Sequence, residues 1–453
     1  MTEEHPGTLR ENGSSAGHAH APASDSPTTS PTTAAPVSAP TSASPSASAQ
    51  VPPADPESGS APGRLPSRVR PSGLAEAADA LTSAAHEGRT VLFEGAGTAL
   101  EWGAPVEDPG LVLEISGLDR LISHAPEDWT VGVEAGMPLT RLQELLAPAG
   151  QWLPVDPPSG EDGATLGGLL ACGDAGPRRL KYGGLADLVI GATLVLPDGT
   201  VARTGGDVIK NVAGYDLAKL MSGSLGAFGL VARLNLRVHP LPAATTTLAL
   251  AAGDAGRALD AARAVMRSPL EPVAVEWDGR HLLIRFQGTE ESAAERGRLA
   301  PGVPGLDGAR VLGAEAERAA WRRLSRTVRG EDGETVLRAG THPARLPALA
   351  LRLRELTQET GVEAELVSGI AQGLHTVVLR GGDAAGHAAC LTAWRESVHE
   401  AGGSVTLRRR REGVEDAAAA WGPAPPAVAV LRSLKRQFDP GGLCAPGRFA
   451  PWF

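Results

Sequence analysis

Apolar positions Leu74, Ala77, Ala78, Leu81 and Ala85 recur at helical spacing, with Ser72 placed to cap the start and Gly88 to stop the end. A strand from Thr90 to Phe93 follows and runs directly into Glu94-Gly95-Ala96-Gly97-Thr98-Ala99. Leu111 to Ile115 and the alternating Trp129 to Val133 predict further strands, and Leu139 to Ala149 a helix closed by Gly150. Leu188 to Leu196 reads as an apolar strand that turns at Pro197-Asp198-Gly199, and Leu230 to Val238 alternates apolar with polar before Pro240. Beyond Pro240 the texture changes. Strand Thr245 to Ala249, helix Ala255 to Met266, strands Val273 to Trp277 and Leu282 to Phe286, and a helix from Glu290 form one run. A second similar run begins at Thr335, with helix Leu346 to Thr360, strands Val362 to Val367 and Thr376 to Leu379, helix Ala384 to Glu400 and strand Val405 to Leu407. Two ferredoxin-like units packed as one domain account for this repetition.

Residues 1–70 contain Ser, Pro, Ala and Thr with almost no large apolar side chain, so they cannot offset their own ordering entropy and are expected to be a disordered tail. The tail begins with acidic residues and has no continuous apolar core, unlike a signal peptide, and no later stretch is apolar for long enough to span a membrane. His18 and His20 in the tail suit a metal less well than a plain flexible leader. The chain carries 42 Lys+Arg against 52 Asp+Glu, a net charge of -10, which argues against nucleic acid as a partner. Cys172, Cys390 and Cys444 show none of the short spacings that hold zinc or an iron–sulfur cluster, so any electron transfer must use another group. Sparse cysteine also points to a reducing, cytoplasmic setting.

The chemistry-bearing candidates are three glycine-rich segments. In the first loop, glycines free successive backbone N–H groups to turn toward an anion such as a pyrophosphate. Leu100 stands where a Rossmann fingerprint has its third glycine, and the loop is as compatible with a bare strand-terminal turn. The second segment runs from Asp156-Pro157-Pro158 through Gly163-Ala164-Thr165-Leu166-Gly167-Gly168 to Cys172-Gly173 and Arg178-Arg179. It reads as a second anion-holding wall or as a packing corner. The third is Thr204-Gly205-Gly206 through Lys210-Asn211-Val212-Ala213-Gly214-Tyr215-Asp216 to Gly223-Ser224-Leu225-Gly226-Ala227-Phe228-Gly229. Neither of the first two carries the Walker lysine pattern.

The ordered series GAGT, ATLGG, GPRRLKYG, LPDGTVARTGG, KNVAGYDLAKLMSGSLGAFG and FDPGGLCAPGR resembles the FAD-binding flavoenzymes of the p-cresol methylhydroxylase and vanillyl-alcohol oxidase type. More narrowly it resembles the FAD-binding subunits of bacterial glycolate oxidase complexes. The resemblance implies an α+β fold: a two-subdomain FAD-binding domain over residues 71–240, then a ferredoxin-like C-terminal cap and assembly domain over 241–453. It implies that Gly95, Ala96, Gly97, Thr98 and Ala99 hold the FAD pyrophosphate together with Pro158, Ala164, Thr165, Gly167 and Gly168. Cys172, Gly173, Arg178, Tyr182 and Gly183 would lie near the flavin ring, and Gly229 and Val231 would add backbone contacts. Thr98 stands where members with covalent flavin often carry His, so noncovalent FAD is expected.

Two departures stand out. The family's terminal Asn-Pro-Gly appears as Ala445-Pro446-Gly447, and the His-rich motif of related single-chain 2-hydroxy-acid dehydrogenases has no counterpart. His375, ahead of an apolar strand, reads as structural, and no catalytic base is evident. Arg178, Arg179 or Lys210 is the expected holder of a substrate carboxylate. Arg408 to Arg411 reads as a solvated strand edge or as a docking patch, and Trp421 as interface or packing.

The resemblance implies a subunit oxidising glycolate or a similar short 2-hydroxy acid to the 2-oxo acid. Its electrons would pass through flavin to a partner iron–sulfur subunit, beside a second flavoprotein subunit, in the cytoplasm or peripherally at the inner membrane face. A self-sufficient flavin dehydrogenase and a non-catalytic assembly subunit are the alternatives.

Overall fold

The structure is a computed structural model that describes residues 66–207 and 215–453. The expected tail, with His18 and His20, lies outside the described residues except at its end, and so does Lys210. In chain order the first half contains β1 (Ser67–Val69), α1 (Leu74–His86), β2 (Val91–Glu94), β3 (Leu111–Glu114), β4 (Leu121–Ala125), β5 (Thr130–Glu134), α2 (Leu139–Leu146) and β6 (Gln151–Trp152). Next come α3 (Leu166–Cys172), α4 (Arg179–Tyr182), α5 (Leu185–Leu188), β7 (Val189–Val195), β8 (Val201–Gly205), α6 (Leu217–Met221), β9 (Leu230–Arg237) and β10 (His239–Pro240).

β1, β3 and β2 form a parallel three-stranded sheet in that order, so ordered structure begins at Ser67 rather than after residue 70. α1 is the crossover that a parallel pair needs, and it buries Ala77, Leu81 and Ala84. Its N-cap is Gly73, not Ser72: the Ser72 N–H and hydroxyl both donate to the Glu76 carboxylate instead. A second, antiparallel sheet follows in the order β4-β5-β9-β7-β8. α2 and α3 pack against it through Leu142, Leu146, Leu166, Leu169 and Leu170.

The second half contains β11 (Ala244–Ala251), α7 (Ala255–Arg267), β12 (Ala274–Trp277), β13 (His281–Gly288), α8 (Glu290–Leu299), β14 (Arg310–Val311) and α9 (Ala314–Arg329). It continues with β15 (Thr335–Gly340), α10 (Leu346–Thr360), β16 (Glu363–Gly369), β17 (Leu374–Arg380), α11 (Ala384–Glu400), β18 (Ser404–Arg409) and α12 (Val428–Phe438). The eight strands form one sheet, β14-β11-β13-β12-β16-β17-β15-β18. Numbered within each unit, both halves of that sheet have the order 4-1-3-2, mirrored about the β12–β16 seam, where Trp277 pairs with Ser368. The two ferredoxin-like units expected from the repeat are therefore present, joined edge to edge.

The two faces of this sheet differ in chemistry. Leu248, Val275, Ile284, Phe286, Leu337, Val377, Leu379 and Leu407 point to the face covered by α7, α10 and α11. On the opposite face, strand pairing aligns Thr247 with Arg285 and Arg338 with Thr376, which in turn pairs with Val367. Period-2 alternation places Glu276 and Arg408 on this same polar face. It is turned toward the first half, to which Arg408 is tied through Asp174 at 3.0 Å and Arg329 of α9 through Asp162.

Candidate active site

The first loop leaves β2 at Glu94 and turns back over α3. A Cβ built on Gly95 would lie 2.3 Å from Thr165 Oγ1, and Gly97 has φ +76°, so neither position accepts a side chain without strain. The loop is fastened from the chain's other end. Cys444 bridges to Val91, the Ala445 N–H donates to the Val91 carbonyl at 2.9 Å, and Arg448 Nη1 donates to the carbonyls of Leu100, Trp102 and Ala104 at 2.8–3.0 Å. The terminal segment thus acts by bracing the loop. Ala445, standing where the family pattern has Asn, holds φ +45°, a conformation Asn tolerates better.

A cleft begins between this loop and α3. Its first part, about 70 Å³, is lined by Gly95 to Leu100, Thr165, Gly168, Ala171, Cys172 and Arg448. It continues through Ala96, Gly97, Thr98 and Leu100 into a larger part of about 670 Å³ that reaches Asp174 and Arg408. Pro158 and Val328 then join it to a third part of about 310 Å³ beneath the polar sheet face. The second glycine segment contains a helix, α3. Thr165 caps α3 by accepting from the Gly168 N–H at 3.2 Å, and the Cys172 thiol donates to the Gly168 carbonyl at 2.8 Å. Burial pushes the Cys172 thiol up to about 12.

Other residues expected at the cofactor are engaged in the protein's own packing and turns. The Gly167 N–H is spent on the Ala135 carbonyl at 2.7 Å, and a Cβ there would meet the Ala135 Cβ at 2.9 Å, so Gly167 is a packing glycine. Ala164 is buried, with its carbonyl accepting from Leu139. Gly173 caps α3 at φ +62°, and Gly183 turns beside Asp187 at φ +78°. Tyr182 packs edge-on between Trp152 and His239, behind Arg178. Gly229 turns into β9 at φ +134°, and the Val231 side chain belongs to the core of the first half. Gly173, Gly183, Tyr182, Gly229 and Val231 line none of the three parts of the cleft.

Arg178 and Pro158 do line the third part of the cleft, whereas Arg179 does not. Arg178 lies over Trp152 at 4.6 Å from the ring centroid and 3.7 Å from Asp156, which also accepts its backbone N–H at 2.9 Å. Gly176 makes this turn possible, since a Cβ there would fall 1.8 Å from the Asp156 carbonyl oxygen. The sheet supplies Glu276, Arg285 and Arg338, and α9 supplies Trp321 and Ser325. Arg285 lies 3.9 Å over Trp321 and 3.6 Å from Glu317, and burial pulls its guanidinium down to about 10. Arg338 donates to Thr376 at 2.7 Å and is likewise pulled down to about 10 by burial and by Arg408. Glu276 is 7% exposed, and burial pushes its carboxyl up to about 8, with Arg338 opposing that rise and Asp156 adding to it.

Glu276, Arg285 and Arg338 were not singled out from the sequence. Their signal was there: each is a charge inside an apolar strand pattern, as in Val275-Glu276-Trp277, Ile284-Arg285-Phe286 and Leu337-Arg338-Ala339. Such a charge persists in a strand only when something pairs it or binds it. His375, by contrast, lies on the helix-covered face between Ser368 Oγ at 2.9 Å and Thr341 Oγ1 at 2.8 Å, and burial pulls it down to about 4. It is structural, as expected. The Arg408 to Arg411 run, at the edge strand of the sheet, is engaged by the protein's own groups. Arg408 stacks on Trp102 and pairs with Asp174, Arg409 pairs with Asp332, Arg410 donates to the Glu101 and Gly103 carbonyls, and Arg411 donates to the Gly381 carbonyl. Trp421 packs against Phe449 and Trp452 and donates to the Arg448 carbonyl. Among the described residues no group of three His, Cys, Asp or Glu could hold a metal ion, and no helix is long and apolar enough to cross a membrane.

The cleft fits FAD: side-chain-free backbone at Gly95 and Gly97, braced at both ends, opens into a long channel, and the buried Arg408 Nε has no protein partner. Residues 67–205 match the FAD binding domain family. The chain is an FAD-binding flavoprotein with the α+β fold of the p-cresol methylhydroxylase type. Within that class it is 37% identical over 158 residues to the glycolate oxidase subunit GlcE of Escherichia coli, covering 35% of this chain and 45% of that protein. It is 28% identical over 416 residues to the D-lactate dehydrogenase of Archaeoglobus fulgidus, covering 84% of this chain and 90% of that protein. The fold is shared with alkyldihydroxyacetonephosphate synthase at a TM-score of 0.63 and 16% identity, over 84% of this chain and 76% of that one. With GlcE, then, the similarity spans less than half of the relative's length.

Proposed function

We propose that this chain is the FAD-binding subunit of a complex that oxidises glycolate or a similar short 2-hydroxy acid to the 2-oxo acid. The observation that carries this reading is the third part of the cleft, where four arginines, Arg178, Arg285, Arg338 and the exposed Arg322, line a space of about 310 Å³ contiguous with the cofactor channel. That volume equals about ten water molecules, enough for a two- or three-carbon acid beside a ring edge. Arg178 Nε and Arg285 Nε are buried without a hydrogen bond, facing Asp156 and Glu317 only at ion-pair distances of 3.7 and 3.6 Å, so a bound carboxylate would give these guanidinium groups hydrogen bonds that the protein does not supply. Similarity to glycolate oxidase subunits and D-lactate dehydrogenases supports the substrate class.

Gly95 to Ala99, Thr165 and Gly168 would hold the FAD phosphates, and Cys172, Asp174 and Arg408 the region leading to the ring. Bound FAD supplies a two-electron oxidant. The protein's own part is to hold the carboxylate by ion pairs, turn the carbinol carbon toward the channel, and exclude bulk water behind α9 and Trp321. FAD is held without a covalent bond, since Thr98 offers no ring nitrogen and a thiol raised as far as that of Cys172 is not a nucleophile at neutral pH. Residues 67–240, with the terminal segment that braces the first loop, act as the cofactor-binding domain, and the eight-stranded sheet with its helices acts as the cap. Similarity to glycolate oxidase subunits supports assembly with partners, among them an iron–sulfur subunit that takes the electrons onward and a second flavoprotein subunit, in the cytoplasm or at the inner membrane face through those partners.

The test is reconstitution with FAD. Acid precipitation is expected to release the flavin into solution, and anaerobic glycolate or D-lactate to bleach its visible absorbance, with dye reduction rising when the partner subunits are added. A chain that binds FAD yet is bleached by no 2-hydroxy acid, alone or in the complex, overturns the reading.

A further inference from the structure

Glu276 is the one acidic side chain that the polar sheet face brings to the wall of the arginine-lined cavity. In strand order it lies on β12, between Arg285 on β13 and Arg338 on β15. It is more than nine-tenths buried, and no described side chain hydrogen-bonds or ion-pairs with its carboxylate. Asp156, the other buried carboxylate of the cavity, accepts the Arg178 backbone N–H and lies near the Arg178 guanidinium, so it is already engaged. Glu317 is engaged as well, accepting from Thr247 Oγ1 at 2.8 Å and lying beside Arg285. An unpartnered carboxylate among cations, open only to the cavity, has no structural interaction to explain its burial. What remains is an interaction with a ligand.

We propose that Glu276 is the proton acceptor for the substrate hydroxyl, an assignment that rests on the reading of the cavity as a 2-hydroxy-acid site. The O–H bond breaks and its proton passes to the Glu276 carboxylate. The O–H electron pair becomes the second bond of the new carbonyl, and the C–H pair leaves with its hydrogen to the FAD oxidant. The arginines that hold the substrate carboxylate also keep part of the Glu276 population ionised. The charged groups facing it are Arg338, Arg285, Asp156 and Arg178, with Arg179 on α4, which packs on β12, and Arg322 and Glu161 at the rim. Burial outweighs the cations and pushes the carboxyl up to about 8, so the ionised, proton-accepting form grows as pH rises through that value.

The holoenzyme is compared with E276Q and E276D. For the wild type, kcat is expected to rise with pH through about 8. E276Q is expected to keep its FAD spectrum and its KM within a few-fold, to lose kcat by about 10²–10⁴-fold and to lose the pH limb, while E276D keeps the limb at a lower rate. Two readouts do not depend on turnover. Oxalate is a two-carbon acid with no C–H to oxidise, and its binding near pH 8 should draw a proton onto the wild type and none onto E276Q, as measured by calorimetry in buffers of different ionisation heat. Because the folded state holds the Glu276 proton more tightly than the unfolded chain does, wild-type stability falls as pH rises from about 4.5 to about 8. E276Q should lack that loss and melt higher than wild type at pH 9. If the wild type oxidises a 2-hydroxy acid and E276Q keeps its rate, or if the wild type binds oxalate with no proton uptake, Glu276 is not the acceptor and the reading of the site stands. A wild type that oxidises no 2-hydroxy acid overturns both.

Discussion

Arg338 shows how one residue links sheet and ligand. It interrupts the apolar run of β15, its charge is held against a large burial cost, and its only described hydrogen bond is to Thr376. Replacing it with Met should leave the fold intact, because Thr376 can rotate its hydroxyl, but should remove a charge-assisted bond to the substrate carboxylate. With about 1.5–3 kcal/mol at stake, Arg338→Met is expected to raise KM for glycolate about 10- to 100-fold with a smaller change in kcat. Steady-state kinetics on the reconstituted enzyme checks this. At this scale the sequence was half legible. Arg178 could be named from its place after the glycine segment, and His375 could be read as structural. Glu276, Arg285 and Arg338 come from three strands dispersed along the second half, and only the strand order brings them to one cavity.

Among the elements, the pairing of the first loop with α3 makes the cofactor wall. Gly95 touches Thr165 so closely that Gly95→Ala must displace one of the two, and FAD affinity is expected to fall by tenfold or more, on the order of 1.4 kcal/mol, in a fluorescence titration. Thr165→Ala should restore part of that loss in the double variant, because the nearest clashing atom is Oγ1, although by itself it costs about 1 kcal/mol of helix capping. The α7, α10 and α11 helices were legible because their apolar spacing runs for 13 to 17 residues. α3 was not. It has seven residues with two glycines near its start, and propensity argues against a helix there. The helix forms because Gly167 lets it approach Ala135, a close contact that no local pattern announces.

Across the whole molecule, the cleft exists because the polar face of the eight-stranded sheet is held against the FAD-binding half. Arg408 crosses that boundary to Asp174, whose side chain is 2% exposed and, among the described residues, otherwise bonded only to Ser159. Arg408→Ala therefore leaves a buried carboxylate uncompensated and is expected to cost about 3–5 kcal/mol in denaturant unfolding. Adding Asp174→Asn should recover part of that cost, so the two changes will not be additive. By itself the sequence determined the duplication of the ferredoxin-like unit, which rests on local periodicity, and its ordered glycine motifs resembled an FAD-binding family, which implied the class of fold and the loops of the site. Only the tertiary structure decided where the chemistry gathers. The mirrored strand order turns isolated charges from β12, β13, β15 and β18 onto one face, and packing that face against Asp156, Asp174 and Arg178 removes it from water. Desolvation is a property of the assembled surfaces, so the buried charges acquire their shifted proton affinities and their ligand-binding capacity only in the folded molecule.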